Sequence, residues 1–401
     1  MKNLIKKFIP KFLLSWYHLT LAFLGALLYG FPSRKIKVMG VTGTNGKTTV
    51  VSLTTVILEE AGFKVASLSS VKFKIKDREK ENNLKMTMPG RFKIQKFLRE
   101  AVNEGCQYAV LEVSSEGIKQ HRHRFIDFEA VLITNLAPEH IESHGSFGNY
   151  KKAKGRLFQA TRKIHIVNID DDNADYFLQF SANKKYTFGW EKGDVNTKNT
   201  EFKLSLIGKF NIYNALAAIC VGLSQGISQE VCQKALEKAK GVPGRMEKVI
   251  SSPFKVIVDY AVTPDALEKL YSTIKDLFVP SKLIAVLGAC GGGRDKWKRP
   301  ILGEIAARYC DEIIITNEDP YDEDPMEIIN QVAKGVGVKA RKTKDRREAI
   351  KEALSLAKEN DVVVITGKGS EPWIIEANSK KVPWDEKKVV QEEYNKIKGK
   401  F

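Results

Sequence analysis

One short loop constrains this chain more than any other feature of its sequence. The apolar segment 35–41 (KIKVMGV) predicts a buried strand that runs directly into the loop 43–49 (GTNGKTT). A helix is predicted from residue 47 to residue 61. This order places backbone N–H groups and a positive helix end in front of an anion, and the glycines let phosphates approach. The loop therefore predicts a nucleotide phosphate site.

Two side chains of this loop carry the expected phosphate chemistry. Lys47 is expected to balance charge near the transferred phosphate, and the Thr48 hydroxyl is expected to hold Mg²⁺. A strict Walker motif requires glycine five residues before Gly46, where this chain has Val41. The prediction therefore depends on the strand–loop–helix context, and a glycine-rich turn without a ligand is the alternative. The predicted ATP ligands in the loop are Gly43, Thr44, Asn45, Gly46, Lys47, Thr48 and Thr49.

Apolar runs of strand length alternate with amphipathic helical segments along the rest of the chain. This order predicts an α/β fold: a central P-loop parallel-sheet ATPase domain, then a smaller Rossmann-like doubly wound domain, preceded by an apolar N-terminal helix. The helical pattern breaks at 241–244 (GVPG), which predicts a domain boundary there. The predicted domains are residues 1–35, 36–242 and 243–401. Further strands are predicted at 65–70, 108–113, 131–134, 165–169, 256–259, 283–287, 312–316 and 362–366.

Charge and cysteine content argue against several classes of protein. The formal net charge of +17 favours anionic ligands: nucleotides, phosphorylated substrates or an anionic membrane face. The chain has no zinc-knuckle spacing and no basic-aromatic platform, so no nucleic acid partner is expected. The five cysteines are widely spaced and form no C-x-x-C pair. That pattern argues against disulfides and a zinc site, and it fits a reducing cytoplasm.

The segment 12–31 (FLLSWYHLTLAFLGALLYGF) carries no Lys, Arg, Asp or Glu and follows four lysines. About 20 apolar residues suffice to span a bilayer, but polar residues interrupt this segment and its aromatic residues suit an interface. Three interpretations stay open: a helix packed on the protein's own body, an interfacial helix, or a membrane anchor. We expect a cytoplasmic protein, with membrane-surface contact through residues 1–35 and a peripheral position on the inner face left open.

With the loop 43–49 placed, the rest of the chain resembles the Mur ligase family over about residues 36–395. The match is closest to its MurE branch. That resemblance implies an enzyme that uses ATP to join an amino acid to a growing peptide through an acyl phosphate. It also implies addition of the third residue, a diamino acid, to a muramoyl-dipeptide in peptidoglycan precursor synthesis. A monomer that uses ATP and two Mg²⁺ ions is expected.

Three sequence blocks resemble family motifs that supply metal ligands. The block 112–115 (EVSS) resembles a family motif whose glutamate holds Mg²⁺. A carboxylate at the carboxyl end of a strand suits that role. Without the resemblance, Glu112 could be a surface acid. The block 134–145 (TNLAPEHIESHG) implies that His140 ligates or orients a second Mg²⁺, instead of being a plain loop histidine. Lys154 matches the lysine that the family carboxylates on its N6 atom, against the plainer reading of a solvated helix lysine.

Further blocks imply nucleotide and substrate contacts. The block 208–214 (GKFNIYN) implies that Asn211 and Asn214 lie near the adenine, while 244–247 (GRME) and 259–265 (DYAVTPD) contribute Arg245 and Asp259 to ATP binding. The blocks 87–89 (TMP) and 120–122 (QHR) imply acceptor contacts, and 291–295 (GGGRD) and 367–371 (GKGSE) imply amino-acid contacts. The implied substrate-binding residues are Thr87, Ser114, Gln120, Arg122, Arg294, Asp319, Gly367 and Glu371.

The segment 317–321 (NEDPY) aligns with the family's specificity loop, which reads D-N-P-R in enzymes that select meso-diaminopimelate. Tyr321 replaces the arginine that pairs with a distal carboxylate, and Asp319 replaces the asparagine. A carboxylate suits a distal ammonium, so lysine or ornithine is favoured over meso-diaminopimelate. The alternative is that another arginine supplies the missing contact.

One departure from the family concerns the acceptor. Only about 35 residues precede the strand of the phosphate loop, whereas MurE proteins usually carry an N-terminal domain that binds the uridine nucleotide. We expect that domain to be lacking, so the muramoyl-peptide acceptor is UDP-linked or lipid-linked. Two other functions stay open: a related amide ligase, either folylpolyglutamate synthetase-like or a MurT-like amidating subunit, and a non-catalytic nucleotide-binding scaffold. Substitutions at Met88, Val262 and Ser370 motivate the scaffold.

Overall fold

The computed structural model describes residues 10–84 and 86–398, and the chain forms two compact units. The first comprises the described residues up to 138 together with 147–206 and 210–240. The second comprises 139–146, 207–209 and the described residues from 241 onward. Residues 1–9 of the predicted N-terminal segment lie outside the described residues.

The first unit is built on an eight-stranded sheet in the order β4-β3-β2-β5-β1-β6-β7-β8. Neighbouring strands pair in parallel except at one edge, where β3 pairs antiparallel with both β2 and β4. The central strands are continuous apolar runs, as expected for a sheet covered by helices on both faces. Its strands are β1 (Lys37–Thr42), β2 (Val65–Leu68), β3 (Lys72–Ile75), β4 (Arg78–Glu81), β5 (Tyr108–Glu112), β6 (Phe128–Ile133), β7 (Ile164–Asn168) and β8 (Lys184–Phe188).

The second unit has a six-stranded sheet in the order β13-β12-β11-β14-β10-β9, parallel except for β9. A two-stranded hairpin, β15 and β16, follows it. The strands are β9 (Glu247–Ile250), β10 (Lys255–Asp259), β11 (Leu283–Leu287), β12 (Glu312–Ile315), β13 (Ala340–Lys342), β14 (Val362–Thr366), β15 (Trp373–Ile375) and β16 (Lys381–Pro383).

Helices connect these strands and begin where the sequence supplies caps. Thr263, for example, accepts a hydrogen bond from the Ala266 N–H, and Pro264 occupies the first helical position. The helices are α1 (Lys11–Leu28), α2 (Lys47–Glu60), α3 (Arg91–Asn103), α4 (Ser115–Lys119), α5 (Ile141–His144), α6 (Phe147–Phe158), α7 (Ala174–Leu178), α8 (Lys209–Ser224), α9 (Gln229–Lys238), α10 (Pro264–Phe278), α11 (Lys298–Tyr309), α12 (Pro325–Val336), α13 (Arg346–Leu356) and α14 (Glu386–Ile397).

The α/β fold class and the apolar N-terminal helix are confirmed. Every strand and helix predicted above is present within a few residues of its expected ends. The hairpin of β3 and β4 was not predicted, because β4 is exposed and charged and therefore lacks the apolar signature of a strand. Helix α1 packs against α3 of the same unit. Among the described helices, none combines the length and the apolar character needed to cross a membrane.

Strand order positions the candidate site. In the first sheet, β2, β5, β1 and β6 are neighbours, and all four run parallel. Their carboxyl ends therefore meet at one edge, where doubly wound folds bind ligands. The phosphate loop follows β1 at this edge, and Glu112 ends β5 beside it.

Candidate active site

The phosphate loop has a backbone that only glycine can adopt at two positions. Gly43 and Gly46 have φ angles of 145° and 83°, in the region that other residues avoid. A Cβ added at Gly43 would clash with the Thr134 hydroxyl, and one at Gly46 would clash with the Asn214 carboxamide. The loop thus forms a tight cradle at the N-terminus of α2, as the sequence predicts.

The end of β6 fastens this loop from one side. The Thr44 N–H donates to the Asn135 carbonyl (2.9 Å), and the Asn45 N–H donates to Asn135 Oδ1 (2.9 Å). Thr134 Oγ1 donates to the Asn45 carbonyl (2.6 Å). The Lys47 ammonium donates to the Thr44 carbonyl (2.8 Å) and so closes the loop on itself. These bonds hold the loop in one defined conformation.

An oxygen cluster stands beside the loop. Thr48 Oγ1 donates to Glu112 Oε2 (3.0 Å) and lies 2.9 Å from Ser70 Oγ. The Ser70 N–H also donates to Glu112 Oε2 (2.8 Å). Sequence reasoning missed Ser70, although a polar residue soon after the apolar strand β2 was an available signal. The structure brings the predicted ligands Thr48 and Glu112 together and adds Ser70 to them.

The cluster suits a hard cation. Nowhere in residues 10–84 and 86–398 do three His, Cys, Asp or Glu side chains converge as a complete metal site. Mg²⁺, however, usually takes only one or two carboxylates, with hydroxyl, water and substrate phosphate oxygens completing its shell. Thr48 and Glu112 supply such donors next to the phosphate cradle, so these residues fit Mg²⁺ bound together with a nucleotide.

Lys154 of α6 lies buried against the phosphate loop. Its ammonium donates to the Gly43 carbonyl (2.7 Å) and the Thr42 hydroxyl (3.4 Å), and it stands 4.7 Å above the Tyr150 ring. Burial, followed by repulsion from Lys47, lowers the pKa of Lys154 well below its ordinary value. Lys154 is therefore not the solvated helix lysine of the plainer reading. Tyr150, whose hydroxyl lies 3.1 Å from Thr44 Oγ1, was not anticipated.

Asn211 and Asn214 lie in the first turns of α8. The Asn214 carboxamide donates to Asn211 Oδ1 (3.1 Å), and both side chains are buried. Asn214 also lies against Gly46 of the phosphate loop. These two predicted ATP ligands thus lie at the loop, and their contact with adenine stays a prediction.

The predicted acceptor residues lie around α4, the short helix that follows β5. Ser114 caps α4 by accepting from the Gly117 N–H (3.2 Å). The Arg122 guanidinium donates to Gln120 Oε1 (2.8 Å) and to the Met88 carbonyl. Thr87 therefore lies next to a residue that Arg122 holds. The structure brings these four predicted residues to one surface of the first unit, where their role toward an acceptor stays a prediction.

His140 belongs to the second unit, unlike Thr48, Glu112 and Lys154. It has a positive φ of 57° at the start of α5. Its neighbour Glu139 is buried and accepts from the Lys298 ammonium (2.7 Å). The Asp295 carboxylate accepts from the backbone N–H groups of residues 141 and 142 (3.1 and 2.9 Å). The role of His140 as a metal ligand stays a prediction.

Arg245 and Asp259 lie at the end of β10 in the second unit. Asp259 Oδ2 accepts from the Met246 N–H (2.6 Å), which fixes the turn that carries Arg245. The Arg245 guanidinium lies 4.2 Å from the centre of the Tyr260 ring. Burial raises the pKa of Asp259. This geometry holds Arg245 in place, and its contact with ATP stays a prediction.

A buried lysine pairs with two of the residues that are predicted to contact the amino acid. The Lys368 ammonium donates to Asp319 Oδ1 (2.8 Å) and Glu371 Oε2 (2.7 Å). Glu371 Oε1 also accepts from the Tyr260 hydroxyl (3.2 Å). Sequence reasoning missed Lys368, although it lies inside the block that supplied Gly367 and Glu371. Asp319 is buried and accepts additionally from a backbone N–H, so its charge is already paired within the protein.

Models of two protein families match this sequence. The Mur ligase middle domain covers residues 41–222, and the Mur ligase, glutamate ligase domain covers residues 244–369. A UDP-N-acetylmuramoyl-L-alanyl-D-glutamate–2,6-diaminopimelate ligase 1 from Clostridium acetobutylicum is 38% identical over 395 residues, spanning 93% of this chain and 81% of that protein. The chain belongs to the Mur ligase family. It is an ATP-dependent ligase that forms amide bonds, and Mg²⁺ is the metal that such ligases generally use.

Solved structures agree with this assignment. A UDP-N-acetylmuramoyl-L-alanyl-D-glutamate–2,6-diaminopimelate ligase matches with a TM-score of 0.61 and 29% identity, over 90% of this chain and 79% of that one. A folylpolyglutamate synthase from Mycobacterium tuberculosis matches with a TM-score of 0.72 and 18% identity, over 87% of this chain and 92% of that one. The second similarity concerns the fold alone.

Two residues that differ from the family's motifs, Tyr321 and Ser370, lie in or beside the loops predicted to contact the amino acid. Tyr321 has a positive φ of 53°, and its ring packs so closely on Gly292 that a Cβ there would clash. Ser370 packs through its backbone against Gly244. The exposed Arg294 follows the same glycine turn as Gly292. Tyr321 therefore packs against the loop that carries Arg294.

Proposed function

We propose that this Mur ligase adds a diamino acid as the third residue of a muramoyl-dipeptide, for peptidoglycan precursor synthesis. The main support is that Thr48, Glu112 and Lys154 all lie at the phosphate loop. Relatives at 38–39% identity are named for the ligation of 2,6-diaminopimelate to UDP-N-acetylmuramoyl-L-alanyl-D-glutamate. The second candidate class, a non-catalytic scaffold, would not need a buried amine and a carboxylate kept at the loop.

The reaction has two steps. The acceptor carboxylate attacks the γ-phosphate of ATP, so that an acyl phosphate forms and ADP leaves. The amine of the incoming amino acid then attacks the acyl carbon, an amide bond forms, and phosphate and a proton are released. Lys47 would exchange its bond to the Thr44 carbonyl for one to phosphate. Thr48 and Glu112 would hold Mg²⁺, which would supply positive charge that offsets the phosphate charge.

We propose that Lys154 is carboxylated on N6. A neutral amine adds to CO₂, one proton leaves, and a carbamate with a single negative charge forms. The buried position of Lys154, which lowers its pKa, favours the neutral amine that this addition needs. The carbamate would place an anion beside Lys47, which suits a ligand for a metal ion. That exchange also replaces repulsion between two lysines by attraction.

For the amino acid, we propose a basic side chain with a distal ammonium, such as that of lysine or ornithine. Tyr321 supplies no positive charge for a distal carboxylate. Glu371 and Gly367 stand beside Lys368, and the buried Glu318 lies close to Gly367. Lys368 pairs with both carboxylates, but Asp319 is buried and also accepts from a backbone N–H, whereas Glu371 is partly exposed. We therefore assign recognition of the ammonium to Glu371 and treat Asp319 as its support. Arg294 would bind the α-carboxylate.

We propose a cytoplasmic site of action with contact to the inner membrane surface through residues 1–35. The acceptor is then UDP-linked or lipid-linked. Product mass spectrometry with each acceptor, ATP, Mg²⁺ and a panel of amino acids tests the proposal. Purified protein should release ADP only when acceptor and amino acid are both present, and Lys47→Ala should abolish release while the exposed control Lys198→Ala should not.

Each contrary result has a defined meaning. Absence of amino-acid-dependent ADP release with any acceptor would favour the scaffold. Glutamate added to a folate, or amidation of a lipid-linked acceptor, would favour the related ligases. Acceptance of meso-diaminopimelate alone would refute the basic amino acid and leave the ligase reaction intact.

A further inference from the structure

Helix α1 exposes an apolar face along its whole length. Its exposed positions recur every three to four residues and so lie on one side of the helix. Trp16 and Leu28, near its two ends, are each 68% exposed. Large exposed apolar patches on folded proteins mark interaction sites. The large side chains of this face, which we call the outer face, are Phe12, Leu13, Trp16, Tyr17, Phe23, Leu24, Leu27 and Leu28.

The opposite face of α1 is bound to the first unit. Gly25 faces α3, and a Cβ added there would be in ordinary contact with the Phe92 backbone, at 3.5 Å. Ser15 Oγ lies 2.8 Å from His121 Nε2. The Arg99 guanidinium donates to the Tyr29 carbonyl (2.7 Å) at the helix end. The helix therefore lies along the unit, and the outer face points away from these contacts, although Phe23 at its edge also meets Phe125.

The charge around the outer face has a single sign along the chain. Residues 1–58 contain no Asp or Glu. The nearby exposed side chains Lys93, Lys96 and Arg124 add positive charge from α3 and the turn after α4, although Glu100 pairs with Lys96 (3.7 Å). The basic residues among the first 58 are Lys2, Lys6, Lys7, Lys11, Arg34, Lys35, Lys37 and Lys47.

We propose that the outer face docks on an anionic lipid bilayer, with α1 lying in the plane of the interface. A helix with aromatic and leucine side chains on one face and basic residues around it inserts that face at the headgroup boundary. Trp16 and Tyr17 are residue types enriched at that depth. Each basic residue near an anionic surface adds about 1 kcal/mol of attraction. Pairing of two copies through this face would instead bring two lysine-rich segments together.

The docked helix also contacts the turn that carries the predicted acceptor residues. Ser15 meets His121, which lies between Gln120 and Arg122 in sequence. The Phe23 ring meets Phe125 edge to face, with centroids 5.4 Å apart. If the proposed function holds, membrane docking would bring this turn to the bilayer surface. That position favours an acceptor that is carried in the membrane over one that diffuses freely.

Vesicle binding of the full chain tests the proposal without any need for ligase activity. Wild-type protein should co-sediment with vesicles of phosphatidylglycerol and phosphatidylcholine, and at least tenfold less with pure phosphatidylcholine. The double variant Trp16→Glu, Leu24→Glu should lose binding at least tenfold. The matched control Leu277→Glu, Val338→Glu changes two exposed apolar residues of the second unit and should bind as wild type does. Circular dichroism confirms that each variant is folded.

Three results would overturn membrane docking. One is failure of the folded wild type to bind either vesicle. Another is equal binding by the outer-face variant and the wild type. The third is a wild-type dimer in light scattering that the outer-face variant dissociates, since that result would assign the face to a second copy. A ligase-inactive protein that still binds the anionic vesicles would refute the proposed function and support the docking.

Discussion

The Lys154 ammonium lies 2.7 Å from the carbonyl oxygen of Gly43, at the start of the phosphate loop. A buried amine at this distance is bound to the loop's backbone instead of to a carboxylate. Repulsion from Lys47 adds to the cost of keeping it charged. This single contact links α6 to the nucleotide site and motivates the first prediction.

Replacing Lys154 with alanine should lower kcat at least 100-fold, because it removes the proposed carbamate. Short carboxylic acids should restore part of the activity to Lys154→Ala by occupying the vacated space. The wild type should lose activity when CO₂ and bicarbonate are removed. Rates measured by ADP release check both expectations, with the exposed Lys152→Ala as the control. Full activity in Lys154→Ala would contradict the role.

Ser70→Ala should raise the Mg²⁺ concentration needed for half-maximal activity by about 2- to 10-fold. The change removes one hydroxyl beside Thr48 and Glu112, and such a hydrogen bond contributes about 0.5–1.5 kcal/mol. Titration of activity with Mg²⁺ measures the shift, while kcat at saturating Mg²⁺ should change little. The exposed Ser355→Ala serves as the control. An unchanged Mg²⁺ requirement would remove Ser70 from the site.

Tyr321→Arg should increase the kcat/KM ratio of meso-diaminopimelate to lysine by at least tenfold. An arginine at this position offers a bidentate partner to the distal carboxylate, whereas tyrosine offers only a hydroxyl. Competition between the two amino acids, read by product mass, gives the ratio directly. Tyr321→Phe keeps the ring packed on Gly292 and should leave the ratio low. A preference for meso-diaminopimelate in the wild type would contradict the expectation and favour another arginine as the partner of the distal carboxylate.

Glu386→Gln should destabilise the second unit by about 3–5 kcal/mol, as expected when a buried ion pair loses one partner. Arg346 donates to Glu386 Oε2 (3.0 Å), and it also donates to the Asn317 and Thr366 carbonyls (3.2 and 2.7 Å), just before two amino-acid-side loops. Urea unfolding measures the change. Glu392→Gln, which removes the charge of a partly exposed ion pair with Arg347, should cost much less, and similar values for both variants would refute the expectation.

His123 should make stability fall as the pH drops from about 6.5 toward 3. Burial, reinforced by Arg124, lowers the pKa of His123 from 6.5 to about 3 in the folded chain. The unfolded chain therefore takes up a proton in this window that the folded chain does not, at a slope of up to about 1.4 kcal/mol per pH unit. The His123 Nδ1 atom lacks a hydrogen-bond partner among the described residues. His123→Phe therefore leaves no partner of Nδ1 unsatisfied.

Urea unfolding of His123→Phe at several pH values measures this effect. The variant should match the wild type at pH 7.5 more closely than at pH 4.5, where it should be the more stable protein. The partly exposed His144→Gln should keep the wild-type slope. An unchanged slope in His123→Phe would assign the acid sensitivity to other groups.

Local chemistry made the conformation of the strand, loop and helix at residues 37–60 predictable from sequence. The apolar run of β1, the two glycines with positive φ and the helix that begins at Lys47 are neighbours along the chain, so their arrangement follows from short-range backbone preferences. The alternation of strands and helices predicted the sheets for the same reason. The β3 and β4 hairpin escaped because its charged residues carry no burial pattern.

The partners around that loop were decided only by the tertiary structure. Ser70 joins Thr48 and Glu112 because β2, β5 and β1 are neighbours in the sheet, an order that sequence distance does not encode. Likewise Asp319 pairs with Lys368 across 49 residues, and α1 buries Ala22 and Ala26 while its large outer-face side chains stay exposed. Sequence thus determined each element and its motif, since those depend on near neighbours. The fold decided which motifs meet, since burial and charge pairing act across distant segments.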